Sequence, residues 1–165
     1  MIILVMGVSG VGKSTVGKVL ARRLGWRFFE GDDYHPDENV KKMNNGIPLD
    51  DSDRRPWLLA LRRLLDDVAR EKWDAVITCS ALKQSYRDFL SEGRSEVRWV
   101  YLFLDVTSIR LRLKNRSDHF MPSSLLDSQL TDLEQPTSAL RIDASGKPDS
   151  IVEQILVGLD LESNF

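Results

Sequence analysis

Short apolar runs alternate along the chain with stretches whose apolar residues recur at helical spacing. Ile2-Ile-Leu-Val-Met6 is continuous, rich in β-branched residues and closed by Gly7, the pattern of a strand buried on both faces. From Lys13 to Leu24 the period changes. Val16, Val19, Leu20 and Leu24 share one 3.6-residue face, and Gly25 supplies a helix stop. Arg27–Phe29 predicts a short second strand, followed by a polar, turn-rich segment from Glu30 to Pro36. A helix is expected after Arg55, with Pro56 at its first position and Trp57, Leu61, Leu64, Leu65 and Val68 on one face.

Ala75–Cys79 predicts a third strand, leading into a helix that carries Leu82, Tyr86, Phe89 and Leu90. Trp99–Leu104 predicts a fourth. Between Ile109 and Leu113 the apolar residues alternate, yet Arg112 and Arg116 stand one helical turn apart, and the segment is read as helix. A polar loop through His119 and Pro122 precedes a helix with Leu126, Leu130 and Leu133. A weak last strand at Leu140–Ile142 and a helix with Ile151, Val152, Ile155 and Leu159 complete the order. Strands separated by helices imply a parallel sheet covered on both faces, because parallel neighbours require crossover connections. The expectation is a three-layer α/β fold in one domain, 1–165.

Composition narrows what such a fold does. The 165 residues carry 23 Lys plus Arg against 25 Asp plus Glu, a formal charge of -2 that argues against holding nucleic acid by bulk electrostatics. No run reaches the roughly 18 apolar residues of a membrane helix. Ile2–Met6 lacks the basic residues that precede the apolar core of a signal peptide. Cys79 is the single cysteine, which excludes an internal disulfide and a thiolate zinc cluster and suits a cytoplasmic location. At the end of a strand it reads as a small buried residue rather than a nucleophile.

The strongest chemical signal is Gly7-Val8-Ser9-Gly10-Val11-Gly12-Lys13-Ser14, a full G-x-x-x-x-G-K-[ST] motif between a strand and a helix. Its glycines let the backbone wrap a polyphosphate with N–H groups at a positive helix end. Lys13 supplies a charge for the β and γ phosphates, Ser14 a hydroxyl for magnesium, and Thr15 a contact for an α-phosphate oxygen. No guanine-reading N-K-x-D motif occurs, which favours ATP.

Acidic residues crowd the segment after the second strand, where Glu30, Asp32 and Asp33 stand beside His35. One such carboxylate can accept a proton from a substrate hydroxyl and another can hold magnesium through water. His35 either binds a polyol or packs. Arg54 and Arg55 precede a helix start, where cations oppose the dipole, so an anionic ligand accounts for them better than helix stability does. Lys83 and Arg87, one turn apart, read either as one ligand-binding face or as solvated charge. Arg112 and Arg116 suit a lid that neutralises a transferred phosphoryl group. Asp105 ends an apolar run in the manner of a second-motif magnesium aspartate.

Assembled in order, these blocks resemble the small gluconate kinases, relatives of the shikimate and adenylate kinases. The resemblance rests on the phosphate loop, Glu30-Gly-Asp-Asp-Tyr-His-Pro36, Lys42-Met43 with Gly46-x-Pro48-Leu49, and Asp53-Arg54-x-Pro56-Trp57-Leu58. It continues through Cys79-Ser-Ala-Leu-Lys83, Tyr86-Arg87, Arg116-x-x-His119-Phe-Met-Pro122, Leu125-Leu126 and Ser128-Gln129. Asp118 departs from a position that is often glycine.

The resemblance implies a P-loop kinase fold with a five-stranded parallel sheet in the order 2-3-1-4-5, a mobile lid near 112–135, and a homodimer. It implies transfer of the ATP γ-phosphoryl group to the 6-hydroxyl of D-gluconate with magnesium. Asp32 then falls at the acceptor hydroxyl and Glu30 nearer the metal, alongside Ser14. Lys13 and Arg116 stabilise the phosphoryl oxygens, with Arg112 on the nucleotide. Arg54, Lys83 and Arg87 are the candidates for the carboxylate, His35 and His119 complete the substrate site, and residues 144–148 hold part of the adenine. Two rivals stand beside this reading: a same-fold kinase for another small acceptor such as shikimate or a nucleoside monophosphate, and a non-catalytic nucleotide-binding regulator.

Overall fold

The computed structural model describes residues 1–115 and 123–162. Its centre is a five-stranded, wholly parallel sheet in the order β2-β3-β1-β4-β5. The strands are β1 (Ile2–Met6), β2 (Arg27–Glu30), β3 (Ala75–Thr78), β4 (Val97–Phe103) and β5 (Leu140–Asp143). The helices are α1 (Lys13–Leu24), α2 (Asp37–Asn44), α3 (Asp51–Arg70), α4 (Gln84–Ser91), α5 (Val106–Lys114), α6 (Ser123–Asp132) and α7 (Pro148–Gly158). A 3-10 turn at Gly31–Tyr34 joins β2 to the segment before α2.

The apolar run of β1 explains its central place. Ile3 and Val5 face a core shared with Val16 and Leu20 of α1 and Ile151, Val152 and Ile155 of α7. Ile2 and Leu4 face the opposite core, built with Trp57, Leu61 and Leu65 of α3 and Tyr86 and Leu90 of α4. Successive side chains leave a strand on opposite faces, so a run without polar interruption can only be satisfied between two helical layers.

Leu82 and Leu133, expected in helices, lie just outside α4 and α6, and two other helices differ further from the sequence expectation. α3 begins at Asp51, five residues before Pro56, which lies inside the helix. Asp50 decides that start. Its carboxylate accepts from the Asp53 N–H at 2.8 Å, and the Asp53 carboxylate accepts from the Asp50 N–H at 3.0 Å, a reciprocal capping box. Arg54 and Arg55 are therefore helical residues of the first turns, not residues ahead of the helix. α2 had no counterpart in the hydrophobic pattern because its single buried residue is the polar Asn39.

Candidate active site

The phosphate loop is shaped by its own backbone. Gly7, Gly10 and Gly12 have φ of 146°, 84° and 107°. At Gly7 an added Cβ would come within 2.6 Å of the Leu102 carbonyl oxygen, so the position excludes any side chain. Lys13 opens α1 almost fully buried, its Nζ donating to the Val8 carbonyl at 3.1 Å across the loop. That contact holds the ammonium over the space the loop encloses.

A cavity opens on either side of the loop. On one side Gly10, Val11, Gly12 and Thr15 border a space of about 340 Å³ with Arg112, Asn115, Ala144, Gly146 and Pro148. Arg112 ties this side together, donating from Nη1 to Val11 O at 3.0 Å and from Nη2 to Ala144 O at 2.7 Å. The segment 144–148 and Arg112, assigned separately to adenine and to the nucleotide, thus meet at one opening.

On the other side Ser9 and Lys13 border about 40 Å³ with Asp32, His35, Arg54, Trp57, Ser80, Leu82 and Gln129. Asp32 stands in the 3-10 turn directly after β2, where the sheet's carboxyl edge faces the loop. Its height is set by Gly31, whose Cβ, were there one, would lie 2.0 Å from the Thr78 carbonyl oxygen. The indole N–H of Trp57 donates to the Gly31 carbonyl at 2.8 Å and fixes the turn from the α3 side. The Trp57 ring also stacks on His35, centroids 4.6 Å apart and planes 7° from parallel.

His35 is held neutral. Burial pushes its pKa down, outweighing nearby Asp32, and Arg54 adds to the depression. Nδ1 of His35 lies 3.3 Å from the Asn39 amide nitrogen, whose second hydrogen serves the Asp53 carbonyl at 2.7 Å. With Asn39 donating, the ring carries its proton on Nε2 and packing and ligand binding cease to be alternatives: His35 does the first while bordering the cavity.

Arg54 reaches the cavity from α3. Its Nη1 pairs with Asp132 Oδ2 at 2.7 Å and meets the Tyr86 hydroxyl at 3.2 Å. The anion expected near this arginine is supplied by α6 of the same chain. Arg55 instead lies exposed.

Lys83 and Arg87 do not project together. Lys83 precedes α4 and its Nζ pairs with Asp51 at 2.8 Å. Arg87 is 3% exposed and donates to the Ala81, Leu82 and Glu134 carbonyls and to the Gln84 side chain, at 2.7 to 2.9 Å. Ala81 has φ of 33°, a sparsely populated conformation for a residue with a Cβ. The buried guanidinium thereby holds a strained loop whose Ser80 and Leu82 border the acceptor-side cavity. Neither Lys83 nor Arg87 is among the described residues lining that cavity.

Glu30 ends β2 with its carboxylate accepting from the Thr78 hydroxyl. Ser14 lies in the first turn of α1. Asp105, read as a possible magnesium ligand, is the exposed N-cap of α5 and accepts from the Ser108 N–H at 2.8 Å. The Ser108 hydroxyl first and then this N–H draw its carboxyl below the usual range, a structural role that the apolar run before it does not reveal. Burial pushes the Cys79 thiol up to about 12, so it stays a protonated core residue. Arg116 and His119 lie outside the described residues.

Sequence reasoning singled out no role for Gln129, although it joins α6 to the phosphate loop. Ser9 N–H donates to Gln129 Oε1 at 2.7 Å, and Gln129 Nε2 donates to Ser9 Oγ at 3.1 Å. A contact across 120 positions leaves no local pattern; only the Ser128-Gln129 pair within the resemblance pointed there.

Comparison with known proteins bears on the same blocks. A sequence model of the shikimate kinase family matches residues 9–159. A gluconokinase of Gluconobacter oxydans is 44% identical over 157 residues, covering 93% of this chain and 88% of that protein. The crystal structure of a gluconokinase from Sinorhizobium meliloti superposes with a TM-score of 0.86 at 44% identity, covering 96% of this chain and 90% of that one. An unliganded sugar kinase from Janibacter gives a TM-score of 0.90 at 42% identity, covering 97% and 94%.

Proposed function

The chain belongs to the shikimate kinase family and, inside it, to the gluconokinases, and on that premise we propose that it transfers the γ-phosphoryl group of ATP to the 6-hydroxyl of D-gluconate, giving 6-phospho-D-gluconate and ADP. The observation that carries this reading is the partition of the site by the phosphate loop. In-line transfer needs donor and acceptor to approach one phosphorus from opposite sides. Here a larger space bordered by Gly10–Gly12 and Thr15 lies on one side of the loop, and a smaller one bordered by Ser9 and Lys13 lies on the other.

The nucleotide lies along Gly7–Thr15 with its base toward Arg112 and residues 144–148. Lys13, already buried in the loop, neutralises the transferred group, joined by Arg116 from the lid, 112–135. Asp32 accepts the proton of the attacking hydroxyl as the new O–P bond forms and the bond to ADP oxygen breaks. Arg54 binds the gluconate carboxylate, with Lys83 and Arg87 contributing positive potential, and His35 and His119 bind hydroxyls. Among the described residues no three acidic, histidine or cysteine side chains form a metal-binding group. This fits a magnesium ion carried mainly by phosphate oxygens and waters, with Ser14 and Glu30 as its protein contacts. When bound, the ion supplies charge neutralisation at the phosphates.

We also place the enzyme in the cytoplasm, in keeping with a single buried cysteine, and, from the family resemblance alone, as a homodimer. The test is magnesium-dependent ADP release with D-gluconate, shikimate, AMP, glucose and other aldonic acids, using Lys13→Ala as the blank. Turnover confined to gluconate is expected. Turnover on another acceptor would keep the mechanism and discard the substrate; ATP binding without turnover on any acceptor would indicate a regulator.

A further inference from the structure

We propose that Gln129 is a positioning residue for phosphoryl transfer, holding the acceptor-side edge of the phosphate loop through Ser9 and making transfer depend on the sugar. This rests on the kinase reading above. The contact is reciprocal: one carboxamide takes the Ser9 N–H at 2.7 Å and gives a hydrogen to Ser9 Oγ at 3.1 Å. Both residues border the same cavity as Lys13 and Asp32, whereas Gly10, Gly12 and Thr15 border the nucleotide side. Gln129 therefore meets the loop where the phosphoryl group leaves it.

The helix that carries Gln129 is anchored independently. Leu125 and Leu126 of α6 are buried, and Asp132, on the turn after Gln129, pairs with Arg54 at 2.7 Å. Helical neighbours three apart share a face. α6 thus presents one side chain to the phosphate loop and one to the acceptor-side arginine, so a shift at Arg54 is transmitted to Ser9 through a packed helix. Ser9, Gln129 and Arg54 all border the acceptor-side cavity, so a sugar acid seated there lies beside both contacts.

An uncharged amide is the group such a position requires. It accepts from a backbone N–H and donates beside phosphate oxygens without adding negative charge. A carboxylate of the same shape keeps the first function and opposes the second. This separates a positioning role from simple anchoring. If Gln129 only fastens α6, Gln129→Glu preserves more activity than Gln129→Ala, because the Ser9 N–H and Oγ can both donate to a carboxylate. If it stands at the transferred group, the order reverses.

The experiment measures kcat, KM for ATP and for gluconate, ADP released without sugar, and the melting temperature of wild type, Gln129→Ala and Gln129→Glu. Expected for Gln129→Ala are a kcat about tenfold lower, nucleotide affinity and melting temperature nearly unchanged, and a larger share of ADP formed without phosphorylated sugar. Gln129→Glu is expected to lose a further fewfold in kcat. An Ala variant with wild-type kcat and coupling, or a Glu variant at least as active as the Ala one, overturns the proposal. Should Gln129→Ala fail to fold, the isosteric Gln129→Glu decides: kcat within threefold of wild type, or a loss confined to KM for ATP, overturns it. Wild-type turnover on gluconate, measured alongside, tests the kinase reading separately.

Discussion

The two sides of the phosphate loop are built by different means. The nucleotide side takes the largest single part of its wall from one segment, within Gly10 to Val16, whose shape lies in backbone torsions. The acceptor side collects side chains from the turn after β2, from α2, α3, the β3–α4 loop and α6, with no two adjacent in sequence. A backbone-made site tolerates side-chain change except where a Cβ or a charge intrudes. A side-chain-made site is held by contacts between elements, and each can be removed singly.

The largest effect should come where the two sides touch. Lys13→Ala is expected to lower kcat by about 10³- to 10⁵-fold, the range spanned by a cation on a transferring phosphoryl group. Activity within tenfold of wild type would remove the loop from the chemistry. Next, Asp32→Asn should cost about 10²- to 10⁴-fold in kcat with ATP affinity retained, as loss of a general base does. Near-normal turnover would show that the acceptor side has another base.

Asp132→Asn is expected to act in the opposite direction. Asp132 already neutralises Arg54, and on the proposed reading a gluconate carboxylate would take its place. A partly exposed pair of this kind is worth up to about 1 kcal/mol. Releasing it should lower KM for gluconate by roughly fivefold. A raised KM would mean that Asp132 orients Arg54 rather than competing for it.

The smallest effect is on pH dependence. His35 has a pKa below its ordinary value in the fold, chiefly from burial, so the unfolded chain takes up a proton near pH 6.5 that the folded chain refuses. Stability therefore falls as pH drops below about 6.5, by at most about 1.4 kcal/mol per unit for one proton. Denaturant midpoints between pH 7 and 5 should decline less steeply in His35→Gln. Equal slopes would show that the ring titrates freely despite its stack on Trp57.

Legibility followed the same division. The strand, loop and helix from Ile2 to Leu24 were readable with their limits, because continuous apolar burial, three glycines and a 3.6-residue stripe are all local signals. The five strands were readable too, although β4 begins at Val97, two residues before the apolar run suggests. α2 was not, since helix periodicity is detected through apolar residues and its buried position is Asn39. Pro56 suggested a helix start that the Asp50–Asp53 box places earlier; proline restricts a position without saying which cap prevails.

Candidate residues divided likewise. Lys13 and Asp32 border one cavity, with Arg54 and His35 beside them. Arg87 resembles a ligand-binding arginine in the chain yet spends its guanidinium on carbonyls, and Asp105 resembles a metal ligand yet caps α5. Residue type and spacing are identical in both uses; the difference is which acceptor or donor stands within 3 Å. By itself the sequence determined the layered sheet, the phosphate loop and the stock of charges, because torsions and side-chain periodicity act over a few residues. Only the tertiary structure decided that Gln129 meets Ser9, that Asp132 meets Arg54 and that Gly31 packs against Thr78, because such contacts depend on how whole elements pack.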